Sequence, residues 1–135
     1  MSRNRYKELI RYLRFDIRAS RCERLQNDKF CLFSVIWNRF IDNCKVCYIP
    51  NSDINVDEQL FPTKTRCPFT QYIASKPDKF GIKFWLAADS ESTYLLNRFP
   101  YVGKGNHRPA TQSMPGYVVM KLIEPFAGKS RNVTQ

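Results

Sequence analysis

The chain has 135 residues, 43% hydrophobic and 25% charged, which suits one domain or parts of two and allows a real apolar core. Aromatic residues make up 14%, which argues against a disordered chain, and no apolar run approaches the ~20 residues of a membrane-spanning helix. Lysine and arginine total 22 against 12 acids, a net charge of +10, so the partners to expect are polyanions: nucleic acid, an anionic membrane surface or an acidic protein.

The first third reads as helical. Ser2 can cap a helix in which Tyr6, Leu9, Ile10 and Leu13 recur at helical spacing. Arg3, Arg5, Lys7, Arg11 and Arg14 crowd the same stretch. A basic helix with an apolar stripe can lie on a membrane, but the stripe is more simply a core face. A polar, Arg-rich connection follows, from Asp16 to about Gln26. Asn27 or Asp28 then caps a second helix with Phe33, Ile36, Trp37, Phe40, Ile41 and Cys44 as its buried stripe. Pro50 and Asn51-Ser52 end the region.

After Ser52 the pattern changes. Ile54, Val56 and Leu60 mark an extended segment, and residues 62–78, with three prolines, read as a loop. Residues 81–88 form an apolar and aromatic strand. The polar Asp89-Ser90-Glu91-Ser92 suits a turn, and residues 94–102 return as the second strand of a hairpin. A polar loop spans 103–113, and Pro115 sits at the first turn of a helix carrying Tyr117, Val118, Leu122 and Ile123. Pro125 and Gly128 end it, and Arg131-Asn132-Val133-Thr134 begins a strand. The predicted organisation is a helical segment over 1–52, then a mixed α/β domain over 53–135 built as strand, hairpin, helix, strand. Because the chain stops inside what reads as a core strand, a fragment of a longer protein is expected.

The residues that usually carry chemistry are sparse. The odd cysteine count of five, with no signal peptide, reads as reduced thiols in an intracellular protein. Cys44-Lys45-Val46-Cys47 is at most half of a zinc site, which needs four ligands; Cys67 and His107 are the other candidates downstream, and a buried cysteine pair at a helix end is the simpler reading. His107, the sole histidine, lies in a polar loop without a nucleophile in a recognisable arrangement. No phosphate-cradling glycine loop is present, which argues against nucleotide hydrolysis.

Several short blocks in order resemble piggyBac-type transposases. The central ones are Asn55-Val56-Asp57-Glu58-Gln59-Leu60, Arg66-Cys67-Pro68-Phe69, Ser75-Lys76-Pro77 and Lys79-Phe80-Gly81-Ile82-Lys83. Upstream lie Arg11-Tyr12-Leu13-Arg14-Phe15-Asp16 and Asn27-Asp28-Lys29-Phe30. Downstream lie Tyr101-Val102-Gly103-Lys104-Gly105 and Arg131-Asn132-Val133-Thr134. Each block is weak alone; the ordered set, spread over almost the whole chain, is specific.

The resemblance implies an RNase H-like core that cleaves and joins DNA with divalent metal held by three aspartates. Asp57 matches the first. The second is expected directly after Gln135, so the chain holds only the first half of the core, and residues 1–52 match the end of a DNA-binding and dimerisation region. Asp57 is therefore the expected catalytic residue and ligand of Mg²⁺ or Mn²⁺. Strand alternation should turn Glu58 away from it; Asp53 shares its parity but is expected in the loop before the strand, and Asp89 is expected in the hairpin turn. Arg66, Lys76, Lys79, Lys83 and Lys104 are expected to line a channel for the DNA backbone, although Lys83 would equally serve solubility. Lys64-Thr65-Arg66 stands where the family carries Arg-Gly-Arg, and the lost glycine puts the turn beside the site in question. The resemblance further implies a nuclear location, DNA as partner, no membrane, and a full-length parent that can form a homodimer. By itself the chain is expected to be inactive. The alternatives are a catalytically inactive DNA-binding or domesticated transposase remnant and a decayed, non-functional one.

Overall fold

The structure, a computed structural model, describes residues 1–103, 112–128 and 130–134. It divides into two compact units, Met1–Arg39 and Phe40–Gln135.

In the first unit, α1 spans Arg3–Tyr12, and Ser2 caps it as its type predicts, its Oγ accepting from the Arg5 N–H at 3.3 Å. The expected burial of its apolar stripe does not occur: Leu9, Ile10 and Leu13 stay 43, 49 and 44% exposed. The segment predicted as a connection is instead ordered. A 3₁₀ turn at Arg18–Ser20 leads into α2, Arg21–Asn27. Sequence periodicity missed it because the organising element is polar. Asp16, 6% exposed in its side chain, takes ion pairs from Arg21, at 2.6 Å, and from Arg24. Arg24 also donates to the Cys31 carbonyl at 3.1 Å. Asp28 accepts from the Phe30 N–H at 2.8 Å and so shapes the turn before α3, Ser34–Cys47. Phe30 meets Phe33 and, edge-on, Trp37. α3 runs on past Arg39 into the second unit, and of the stripe predicted for it only Ile41 and Cys44, both in that unit, are buried.

The second unit is built on a five-stranded mixed sheet. Its strands are β1 (Asp53–Pro62), β2 (Thr70–Tyr72), β3 (Phe80–Asp89), β4 (Leu95–Pro100) and β5 (Asn132–Thr134). Short β2 lies inside the stretch read as loop; three residues are too few to show an alternation in sequence. β1 runs antiparallel to the whole of β3 from Gly81 to Asp89. β2 and β4 therefore share the other edge of β3, β2 pairing at 80–82 and β4 at 84–88. β5 joins the free edge of β1 in parallel. Gly81 is required where β3 meets the end of β1, since a Cβ there would lie 2.3 Å from the Phe61 carbonyl oxygen.

Helix α4, Met114–Ile123, begins where Pro115 predicted, with the Ser113 Oγ accepting from the Gly116 N–H at 3.3 Å. It covers one face of the sheet. Val118 and Leu122, with Phe126 from the 3₁₀ turn that follows, pack against Ile54, Val56, Ala87 and Leu96. The buried Asn97 side chain ties β4 to this helix by donating to the Leu122 carbonyl at 2.9 Å. No helix among the described residues is long and apolar enough to cross a membrane.

Candidate active site

Alternation along β1 decides which residues share a face. Ile54 and Val56 are buried beneath α4, so Asp53, Asn55, Asp57 and Gln59 point to the opposite face, where all four are exposed. Asp57 pairs across the sheet with Leu86, and its Oδ1 accepts from the Glu58 N–H at 2.7 Å. A carboxylate fixed on a paired strand, turned from the core and open to solvent, is well placed to bind something outside the protein.

Glu58 takes the other face, as alternation requires. There it makes an ion pair with Lys83, whose Nζ also stands 3.9 Å from the centre of the Trp85 ring. Lys83, expected either to line a DNA channel or to serve solubility, lies on the α4 side of the sheet, opposite Leu60, and not on Asp57's face. Two residues of strand period account for the difference: Lys83 and Leu86 have opposite parity.

β5 approaches Asp57 from its open edge. Asp53, Ile54 and Asn55 pair with Asn132, Val133 and Thr134 in parallel register. Asp53 is thus the first residue of the strand, not part of the loop before it. Hydrogen bonds from Ser52 and from Asn132, the latter at 2.9 Å, hold its carboxyl below the ordinary range. Its engagement at the strand junction is structural.

Asp89 also proves structural, at the end of β3 rather than in the turn. It is 1% exposed. Its carboxylate accepts from the N–H and hydroxyl of Ser92 at 2.9 and 2.8 Å, from the Asn51 N–H at 2.8 Å and from the Tyr48 hydroxyl at 3.3 Å. Led by the Ser92 bonds, these lower its pKa to about 2. The same bonds close the hairpin, where Thr93 adopts φ 58°.

The loop cations gather at the far end of the sheet. Arg66 and Lys79 are exposed and Lys76 half-buried. Lys104 and His107 lie outside the described residues. Measured along β3 from Leu86 to Phe80, this end is about 20 Å from Asp57. Thr65 stands in place of the expected glycine without strain: among described residues, positive φ outside glycine occurs at Thr93 and Ser130. The Thr65 N–H donates to the Thr63 hydroxyl at 3.1 Å, which closes the turn another way. Arg98 escaped sequence reasoning. Leu86 pairs with both Asp57 and Arg98, so the three lie in one row across one face. The guanidinium stacks 4.2 Å from the Phe84 ring centre, and burial lowers its pKa. Only strand pairing reveals that placement. Among described residues, no group of three or more His, Cys, Asp or Glu side chains is arranged to hold a metal ion; Cys44 is buried and Cys47 exposed.

A family model described as Transposase IS4 matches residues 1–135. The chain belongs to that transposase family. A solved structure, the cryo-EM structure of a piggyBac transposase synaptic complex with hairpin DNA, superposes with a TM-score of 0.91 at 39% identity over 100% of the chain. The resemblance carried by the sequence blocks is thus shown for both sequence and fold: this is a piggyBac-like transposase segment with an RNase H-like architecture. It spans 28% of the length of that piggyBac chain.

Proposed function

We propose that this transposase segment supplies the first metal-binding carboxylate, Asp57, of a catalytic core that cleaves and joins DNA. The observation that carries the reading is the register of β1 with β5. Asn55 pairs with Thr134 in parallel, so β5 lies along the open edge of the strand that carries Asp57. The family resemblance expects the second aspartate directly after Gln135.

Asp57 offers hard oxygen donors, the type that Mg²⁺ and Mn²⁺ prefer. The described residues do not complete a cage around it. A divalent ion there would take its other oxygens from that second carboxylate and from DNA phosphate, as Mg²⁺ sites commonly do. When bound, such ions activate the attacking oxygen and stabilise the leaving one. The chain's own contribution is to hold the Asp57 carboxylate rigidly on a paired strand and keep it clear of the apolar core. Arg66, Lys76 and Lys79 would hold the DNA backbone by charge, without reading sequence.

DNA as ligand is supported by the net charge of +10 and by the likeness to a protein solved with hairpin DNA. A nuclear location follows from that role. In a transposase carrying this segment, Asp57→Ala should lower Mg²⁺- or Mn²⁺-dependent cleavage of transposon-end DNA by roughly a hundredfold or more, with DNA affinity unchanged. Cleavage that survives the substitution would remove Asp57 from the site. Salt-sensitive binding without any metal-dependent cleavage would leave the DNA-binding remnant as the reading.

A further inference from the structure

The end of the sheet remote from Asp57 carries an aromatic pair that the core does not use. Tyr72 and Phe80 are direct partners across β2 and β3, and their ring centres lie 4.9 Å apart at 51°. They remain 57 and 61% exposed. A protein that needed them only for cohesion would turn them inward, since burying such rings is among the larger gains a side chain offers. Strand parity places both on the face that bears Asp57: Phe80 shares the parity of Leu86, Asp57's partner, and Tyr72 pairs with Phe80.

Cations surround the pair. An open cleft of about 650 Å³ on one side of Phe80 is lined by Thr63, Lys64, Thr65 and Arg66. A second, of about 510 Å³, shares Thr63, Lys64 and Phe80 and adds Lys79 and Asp78. Phe80 is the aromatic wall common to both. The loop from β2 to β3 is braced by backbone bonds, the Ile73 N–H donating to the Lys79 carbonyl at 2.9 Å and the Lys76 N–H to the Ile73 carbonyl at 3.2 Å. The aromatic edges are therefore held in place rather than left on a loose tip.

We infer that Tyr72 and Phe80 form a stacking platform for a nucleobase displaced from the DNA helix, with Lys64, Arg66 and Lys79 holding the flanking phosphates. Exposed rings interleaved with cations are the combination that binds unpaired nucleotides: the π-faces take bases of any identity and the charges follow the backbone. A protein partner would suit the rings but would leave three cations to desolvate against a single carboxylate, Asp78. The separation of about 20 Å from Asp57 equals the rise of about six base pairs. The base is thus taken roughly six nucleotides from the phosphate at Asp57. The inference rests on the DNA reading proposed above and adds to it the state of the DNA bound.

The test compares two DNAs of equal length by fluorescence anisotropy, one a blunt duplex, the other ending in a single-stranded flank that carries 2-aminopurine. The full chain should bind the flanked DNA roughly 5- to 100-fold more tightly, the range that base–aromatic stacking gives, and should quench the 2-aminopurine. Tyr72→Ala and Phe80→Ala should each erase that preference and the quenching, with blunt-duplex affinity and circular dichroism unchanged. Phe80→Tyr should retain both. Equal affinity for the two DNAs, or a preference that survives the double alanine variant, overturns the platform while leaving the DNA reading intact. Absence of salt-sensitive binding to either DNA overturns both. If Phe80→Ala instead abolishes self-association of the chain, the rings are a protein contact and the inference fails.

Discussion

Asp89 and Asp57 lie on adjacent strands and differ in everything that decides a carboxylate's role. Asp89 is surrounded by donors from Tyr48, Asn51 and Ser92, all directed inward, so its charge is consumed in closing a hairpin and anchoring the chain before β1. Its folded pKa of about 2 lies below the ordinary aspartate value of 3.8. The stability it confers is therefore complete above about pH 4 and is lost as pH falls from there towards 2. Acid unfolding followed by circular dichroism should show this loss, and Asp89→Asn should both lower the melting temperature at neutral pH and flatten the acid limb. Gly81 makes a second argument at this scale. Any side chain there meets the Phe61 carbonyl, so the strands must part. Gly81→Ala should cost about 1–3 kcal/mol, the usual range for overpacking, in urea unfolding.

At the scale of elements, α4 is what makes the sheet two-faced. It buries Val118 and Leu122 against β1, β3 and β4 and leaves Asp57's face for other uses. Leu122→Ala should destabilise the second unit by about 2–5 kcal/mol. Met120→Ala on the exposed side of the same helix should change stability by less than about 0.5 kcal/mol. Equal effects at the two positions would mean that α4 does not pack as described. In the first unit the corresponding element is polar. Asp16 gathers Arg21 and Arg24, so α2 depends on a carboxylate where α4 depends on apolar area. Hydrophobic periodicity found the second helix and passed over the first for that reason.

At the scale of the whole molecule, the charge excess acts through position. Arg66 lies between β1 and β2, and Lys76 and Lys79 between β2 and β3, whereas Lys83 is engaged by Glu58 on the α4 face of the sheet. Alanine at each of the first three should weaken DNA binding about equally for all sequences and reduce the slope of log affinity against log salt by about one. Lys83→Ala should leave that slope unchanged. Titrations at four or five salt concentrations distinguish the two groups; a uniform effect at all four positions would mean that the sheet's faces do not sort the cations.

By itself the sequence determined the order of the main elements, Ser2 as a helix cap, Pro115 at the first turn of α4 and the transposase family, and through the family resemblance it pointed to Asp57. These rest on local chemistry or on ordered motifs, both of which are linear in the chain. The tertiary structure alone decided the faces and partners. It set Lys83 on the face opposite Asp57's, placed Arg98 in Asp57's row, brought β5 alongside β1, and buried Asp89 among donors up to 41 residues distant. Each of those results depends on strand register, where a shift of one residue exchanges the two faces of the sheet. No window of sequence contains both strands of a pair and the register that joins them.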